Sequence, residues 1–171
     1  MRHVTLSQAS HKQSITLSDR RGFKHHQRIN IGSFLFYAKL SSSMPNLTQG
    51  PKVRKPLHLH DKKLKALEER AQVIREDMID MLVKAGSGHS AGPLGMADIF
   101  TALYFHVMMH DPKRPDWKDR DRLILSNGHI CPIRYATMAH AGYFPKKLLM
   151  TLRKLGSPLQ GHPEREKLPG V

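Results

Sequence analysis

Three histidines share one local setting. His89 lies in Gly-Ser-Gly-His-Ser, His129 in Ser-Asn-Gly-His and His162 in Gln-Gly-His-Pro, so each follows a glycine. An imidazole can donate to a phosphate or carbonyl oxygen and can exchange a proton near neutral pH. A preceding glycine lets backbone or ligand come close, and loops on a rigid scaffold are where such groups concentrate. A single Gly-His pair is common. From the residues alone, a shared site at Gly88-His89, Gly128-His129 and Gly161-His162 stands against three unrelated turn histidines.

The other candidate chemistry is weaker. The chain has 12 His and one Cys. His106 and His110 stand four apart, a spacing that puts two imidazoles on one helix face, but Val107 holds the place of the glutamate in H-E-x-x-H. A histidine near a helix C-terminal dipole is the favoured reading of that pair. His25, His26, His58 and His60 sit in polar surroundings and read as solvated. Cys131 alone excludes an intrachain disulfide framework and a Cys-rich zinc site. No G-x-S-x-G, P-loop or G-x-G-x-x-G occurs.

The elements that must position the three loops can be read from periodicity. Leu64, Leu67, Ala71, Ile74, Met78, Met81 or Leu82, and Ala85 recur at steps of three and four, predicting an amphipathic helix that Gly86 and Gly88 stop. Residues 87–95 read as a glycine-rich loop carrying His89. A second helix is expected over 96–110, with Ile99, Phe100, Leu103 and Val107 on one face, ended by Asp111-Pro112. Leu123-Ile124-Leu125 reads as a short buried strand running into His129. A third helix is expected from Pro132 to Gly142. A fourth is expected over 146–155, with Leu148, Leu149, Leu152 and Leu155 apolar and Gly156 beyond its end. One strand among several helices needs partners elsewhere. The pattern is the opening part of a larger α/β domain, helix-rich as it stands.

With 171 residues, 39% apolar and 25% charged, the chain suits one domain with a real core. No apolar run approaches the roughly 18–20 residues of a membrane helix. The net charge of +14 is uneven: residues 1–60 hold ten Lys or Arg against Asp19, whereas residues 61–171 hold eighteen against thirteen acids. Residues 1–60 therefore read as a basic, Ser- and Pro-containing disordered lead. Met44 is the preferred true start, and a transit segment over 1–43 is the alternative. The excess charge admits an anionic partner. A small nucleic-acid-binding module ranks below, because aromatics are only 6% and Phe100, Tyr104 and Phe105 fall on or near an apolar helix face.

The stretches SGHSAGPLGMADIFTALYF, DRDRLILSNGH, AGYF and LGSPLQGHPEREKLPGV, in this order and at this spacing, resemble the transketolase family, over roughly residues 64–171. The form is most similar to the N-terminal subunit of split transketolases. The resemblance implies helices packed on a parallel sheet, thiamine diphosphate with Mg2+ or Ca2+, and transfer of a two-carbon ketol unit between sugar phosphates. By the same carry-over His89 and His162 are catalytic residues beside the substrate oxygens, while His129 and Gly128 bind the cofactor diphosphate. No metal ligand is assigned to these residues; the family's Gly-Asp-Gly and asparagine are expected beyond Val171. The isolated chain is therefore expected to be inactive, with a C-terminal transketolase subunit or domain as partner and a homo- or hetero-oligomer as the complete form. Ile130-Cys131-Pro132 departs from the small residues usual after the second Gly-His. Cys131 reads as a small buried apolar residue, with crowding of the cofactor pocket as the alternative. A cytoplasmic setting is the default expectation, an organellar one the alternative.

Overall fold

A computed structural model describes residues 59–171 in full and, for the first part of the chain, the backbone of four strands. These are β1 (Arg2–Ala9), β2 (Lys12–Asp19), β3 (Lys24–Ile31) and β4 (Phe34–Ala38). Along these strands Val4 and Leu6, Ile15 and Leu17, and Ile29 and Ile31 alternate with polar residues, the period of a strand. Met44 and the rest of 39–58, including His58, lie outside the described residues.

The later strand, β5 (Arg122–Leu125), pairs parallel with β1, from His3 opposite Arg122 to Leu6 opposite Leu125. The sheet order is β4-β3-β2-β1-β5, and the other ladders are antiparallel. β5 was expected to be buried. Leu123 is, but Ile124 on the opposite face is 47% exposed.

Three helices form the core. α1 (Asp61–Ala85) begins where His60 is extended and its carbonyl accepts from the amides of Lys63 and Leu64. Asp61 and Lys84 sit at the ends that the helix dipole favours. Gly86 closes it in the left-handed conformation (φ +65°), returning its N–H to Leu82 and Val83. α2 (Ala91–Ala102) starts five residues earlier than expected. Gly92 and Pro93 fall in its first turn, where a proline has no intrahelical N–H to lose. α2 runs into a π-helical turn, Leu103–Val107, whose register is fixed by Met108 N–H donating to the Leu103 carbonyl. α3 (Cys131–Ala141) follows a short 3-10 turn, Gly128–Ile130, and ends at left-handed Gly142 (φ +93°).

The largest fully buried side chains join these helices in one core: Ile74, Met78 and Met81 from α1, Phe100 from α2, and Tyr135 and Met138 from α3. The expected fourth helix is corrected to a 3-10 segment, Lys146–Thr151. Thr151 Oγ1 donates to the Leu148 carbonyl and pairs with Ser157 Oγ. The chain then reverses at Arg153, whose N–H donates to the Leu159 carbonyl at 2.8 Å. Leu149 and Leu152 stay buried, whereas Leu155 is thrown fully into solvent.

Candidate functional site

The three Gly-His loops meet. The rings of His89 and His129 lie edge to face with centroids 5.0 Å apart and planes at 72°. His162 packs on the backbone of Gly128: a Cβ there would stand 2.7 Å from His162 Cδ2. Gly128 therefore links the second loop to the third, and His129 links it to the first. All three imidazoles are exposed to solvent.

Local structure explains why each loop sits where it does. Gly88 (φ +125°) turns the chain out of α1 into α2, and a Cβ there would stand 2.6 Å from Leu82 Cδ2. The start of α2 is held on the second loop at Gly92, where a Cβ would meet Ile130 Cγ2 at 3.0 Å. The third loop is tied to α3 by two neighbouring carbonyls. Cys131 Sγ–H donates to Gly161 at 3.0 Å, and Tyr135 O–H donates to Gln160 at 2.9 Å. These two donors are four residues apart, on one face of α3. Gly161 was expected to serve close approach, yet a Cβ there would make only ordinary contact, 3.5 Å from Arg153 Nη1.

Cys131 is buried, as the apolar reading expected. Burial pushes its thiol up to about 11, from an ordinary value of 9.0. Burial also raises the Tyr135 hydroxyl, and the neighbouring Cys131 adds to the rise. Both groups stay protonated and act as hydrogen-bond donors that place the His162 loop.

The His106 and His110 pair forms no common site. His110 Nε2–H donates to the Tyr104 carbonyl at 2.7 Å, and its Nδ1 meets Tyr143 Oη at 3.0 Å. Both ring nitrogens are engaged, while His106 is buried in the π-helical turn. Sequence reasoning missed two further residues. Asn127 Oδ1 is buried without a hydrogen-bond partner, one residue before Gly128. Arg153 stands beside Gly161 through a left-handed backbone that no local motif announced.

The donor set suits an anion. His162 packs on Gly128, His129 follows it and His89 lies edge to face with His129, and α3 presents its N-terminal end, without a side-chain cap, just after His129. A diphosphate fits such surroundings. A divalent metal does not find its oxygen ligands here, because no group of three His, Cys, Asp or Glu side chains gathers among the described residues.

Residues 67–171 match the family model for the transketolase thiamine diphosphate binding domain. The chain belongs to the transketolase family. It is 42% identical over 105 residues to the 6-deoxy-6-sulfo-D-fructose transketolase subunit SqwG of Clostridium sp. (strain MSTE9), covering 61% of this chain and 38% of that protein. It is 43% identical to transketolase 2 of Escherichia coli (strain K12), covering 61% and 16%. Among solved structures, transketolase from Leishmania mexicana superposes with a TM-score of 0.59 at 42% identity, over 61% of this chain and 16% of that one. The chain thus spans well under half the length of these relatives. The α/β class expected from the sequence agrees with this membership. Among the described residues no helix is long and apolar enough to cross a membrane.

Proposed function

We propose that this chain supplies one wall of a transketolase active site, in an enzyme that transfers a two-carbon ketol unit between sugar phosphates. The observation that carries the reading is the convergence of His89, His129 and His162 around Gly128. Thiamine diphosphate, when bound, supplies the electron sink for making and breaking the carbon–carbon bond. His129 and the backbone at Gly128 would hold its diphosphate, with the N-terminal end of α3 adding favourable charge. His89 would relay protons to and from a substrate oxygen. His162 would donate to the substrate carbonyl or hydroxyl, where charge develops. The accompanying Mg2+ or Ca2+ would take its oxygen ligands from residues outside this cluster. The remaining walls would come from a C-terminal transketolase subunit or domain, a reading supported by the subunit named among the relatives. A cytoplasmic setting fits a chain with one buried cysteine; the chloroplastic relative from Spinacia oleracea favours the organellar alternative.

The test combines the chain with a C-terminal transketolase subunit, thiamine diphosphate and Mg2+, and measures ketol transfer from a ketose phosphate to an aldose phosphate. Activity is expected in the mixture and not in the chain alone. His89→Ala and His162→Ala should each lower kcat by about 10²-fold or more, whereas His129→Ala should mainly raise the cofactor concentration needed. A mixture that binds cofactor yet tolerates all three substitutions would remove these residues from the site.

A further inference from the structure

The turn that follows the 3-10 segment forms, with Lys167, an open cleft of about 630 Å³. Its walls include Arg153, Lys154 and Lys167, and no acidic residue lines it. Arg153 and Lys154 are exposed and form no ion pair with any described residue. Lys167 is held by Glu164 at 2.9 Å, so the cleft keeps the charge of two cations in excess. Ser157 Oγ is engaged with Thr151 and with the Leu159 amide, and Gln160 Nε2 donates to the Ser157 carbonyl. The polar floor is thus satisfied internally, and the donors left for a ligand are Arg153 and Lys154, with Lys167 shared with Glu164.

The backbone beneath Arg153 sharpens the point. Arg153 is the one non-glycine residue with positive φ (+59°) among the described residues. An L-residue is strained there, and a glycine would not be. The strained turn holds the guanidinium against Gly161, with Nη1 3.5 Å from where a Cβ would be. A planar fork of N–H donors flanked by ammonium groups is a donor set for a tetrahedral oxyanion. No aromatic side chain lines the cleft, so nothing there would stack a nucleobase.

We propose that this cleft is a phosphate-binding site, separate from the Gly128 cluster, with Arg153 as its principal contact. The phosphate can come from a sugar phosphate or from free inorganic phosphate, and both present the same oxyanion. The proposal concerns binding by this chain alone and does not depend on ketol transfer.

The experiment titrates the 171-residue chain with inorganic phosphate, fructose 6-phosphate and fructose by calorimetry at low ionic strength, with chloride as the control anion. Saturable binding of phosphate with a Kd of roughly 1 mM is expected, and none of fructose. Arg153→Gly relaxes the strained backbone while removing the fork, so it should weaken binding about tenfold or more without lowering the melting temperature. Lys154→Ala should weaken it about threefold. Fructose 6-phosphate binding several-fold tighter than inorganic phosphate would support a sugar-phosphate site, and equal affinity would support a free-phosphate site. No saturable phosphate binding, equal competition by chloride, or affinity unchanged in Arg153→Gly would overturn the proposal.

Discussion

The histidines of the helical layer and those of the loops use one side chain in opposite ways. In the layer, His140 Nε2 pairs with Asp77 Oδ2 at 2.5 Å, and Lys146 reaches the same carboxylate at 3.2 Å, joining α1, α3 and the 3-10 segment. His110 bridges the Tyr104 carbonyl and the Tyr143 hydroxyl. His140 through Nε2 and His110 through both ring nitrogens act there as fasteners. In the loops, His89, His129 and His162 are exposed and touch one another through ring edges and a glycine backbone. They bring the three loops into contact, with no hydrogen bond or ion pair between their rings. A buried polar group must find partners within the protein, whereas an exposed one is free to take them from a ligand. Histidines that stabilise are thus distinct from histidines available for chemistry, and stability and site should respond to different substitutions.

The largest effect is expected deep in the layer. Phe100 is fully buried among Ile74, Met78 and Tyr135 in the common core. Phe100→Ala should lower unfolding free energy by about 3–5 kcal/mol, read by chemical denaturation. A loss under about 1 kcal/mol would mean that the layer is not the rigid support on which the comparison rests.

A second effect tests the joint between layer and loops. The Cys131 thiol is raised from 9.0 to about 11 by burial. Its neutral form is the one that the folded chain accommodates. Stability from this group is complete below pH 9, where both states carry the thiol. It is lost as pH rises towards 11, because the unfolded chain ionises first. The loss amounts to roughly 2–3 kcal/mol. The raised Tyr104, Tyr135 and Tyr143 hydroxyls act in the same direction, but only above pH 10. Denaturation at pH 8, 9 and 10, with Cys131→Ala alongside, isolates the thiol: the fall between pH 9 and 10 should shrink in the variant. An equal fall in both chains would show that the thiol is not buried against Gly161.

What could be read in advance follows the range of the forces. The ends of α1 and α3 were legible because Gly86 and Gly142 stop them locally. The three Gly-His loops were legible as motifs, and the family resemblance rested on the same stretches. The 3-10 segment was not. Leu148, Leu149, Leu152 and Leu155 keep helical spacing, but Thr151 bonds back to Leu148 and the reversal at Arg153 sends Leu155 outward. The fastening of the third loop was equally hidden, since Cys131 to Gly161 and Tyr135 to Gln160 are contacts across 30 and 25 residues. The pairing of β5 with β1 spans more than a hundred residues and leaves no local mark.

The smallest effect on stability, and the sharpest on the site, is expected from Gly128→Ala. Gly128 is not among the glycines with positive φ, so its backbone accepts an alanine. The new methyl would stand 2.7 Å from His162 Cδ2 and cannot share that space. His162 is an exposed side chain and can swing away, at a cost of about 1 kcal/mol or less. The melting temperature should therefore move by only a few degrees, while the His162 ring resonances shift and those of His89 and His110 hold still. The contrast is with Gly88→Ala, where φ +125° and the buried Leu82 leave no such escape. If Gly128→Ala instead destabilised the chain as much as Gly88→Ala, the loop histidines would be structural after all. The separation between fastening and available imidazoles would then fail at the residue where the three loops meet.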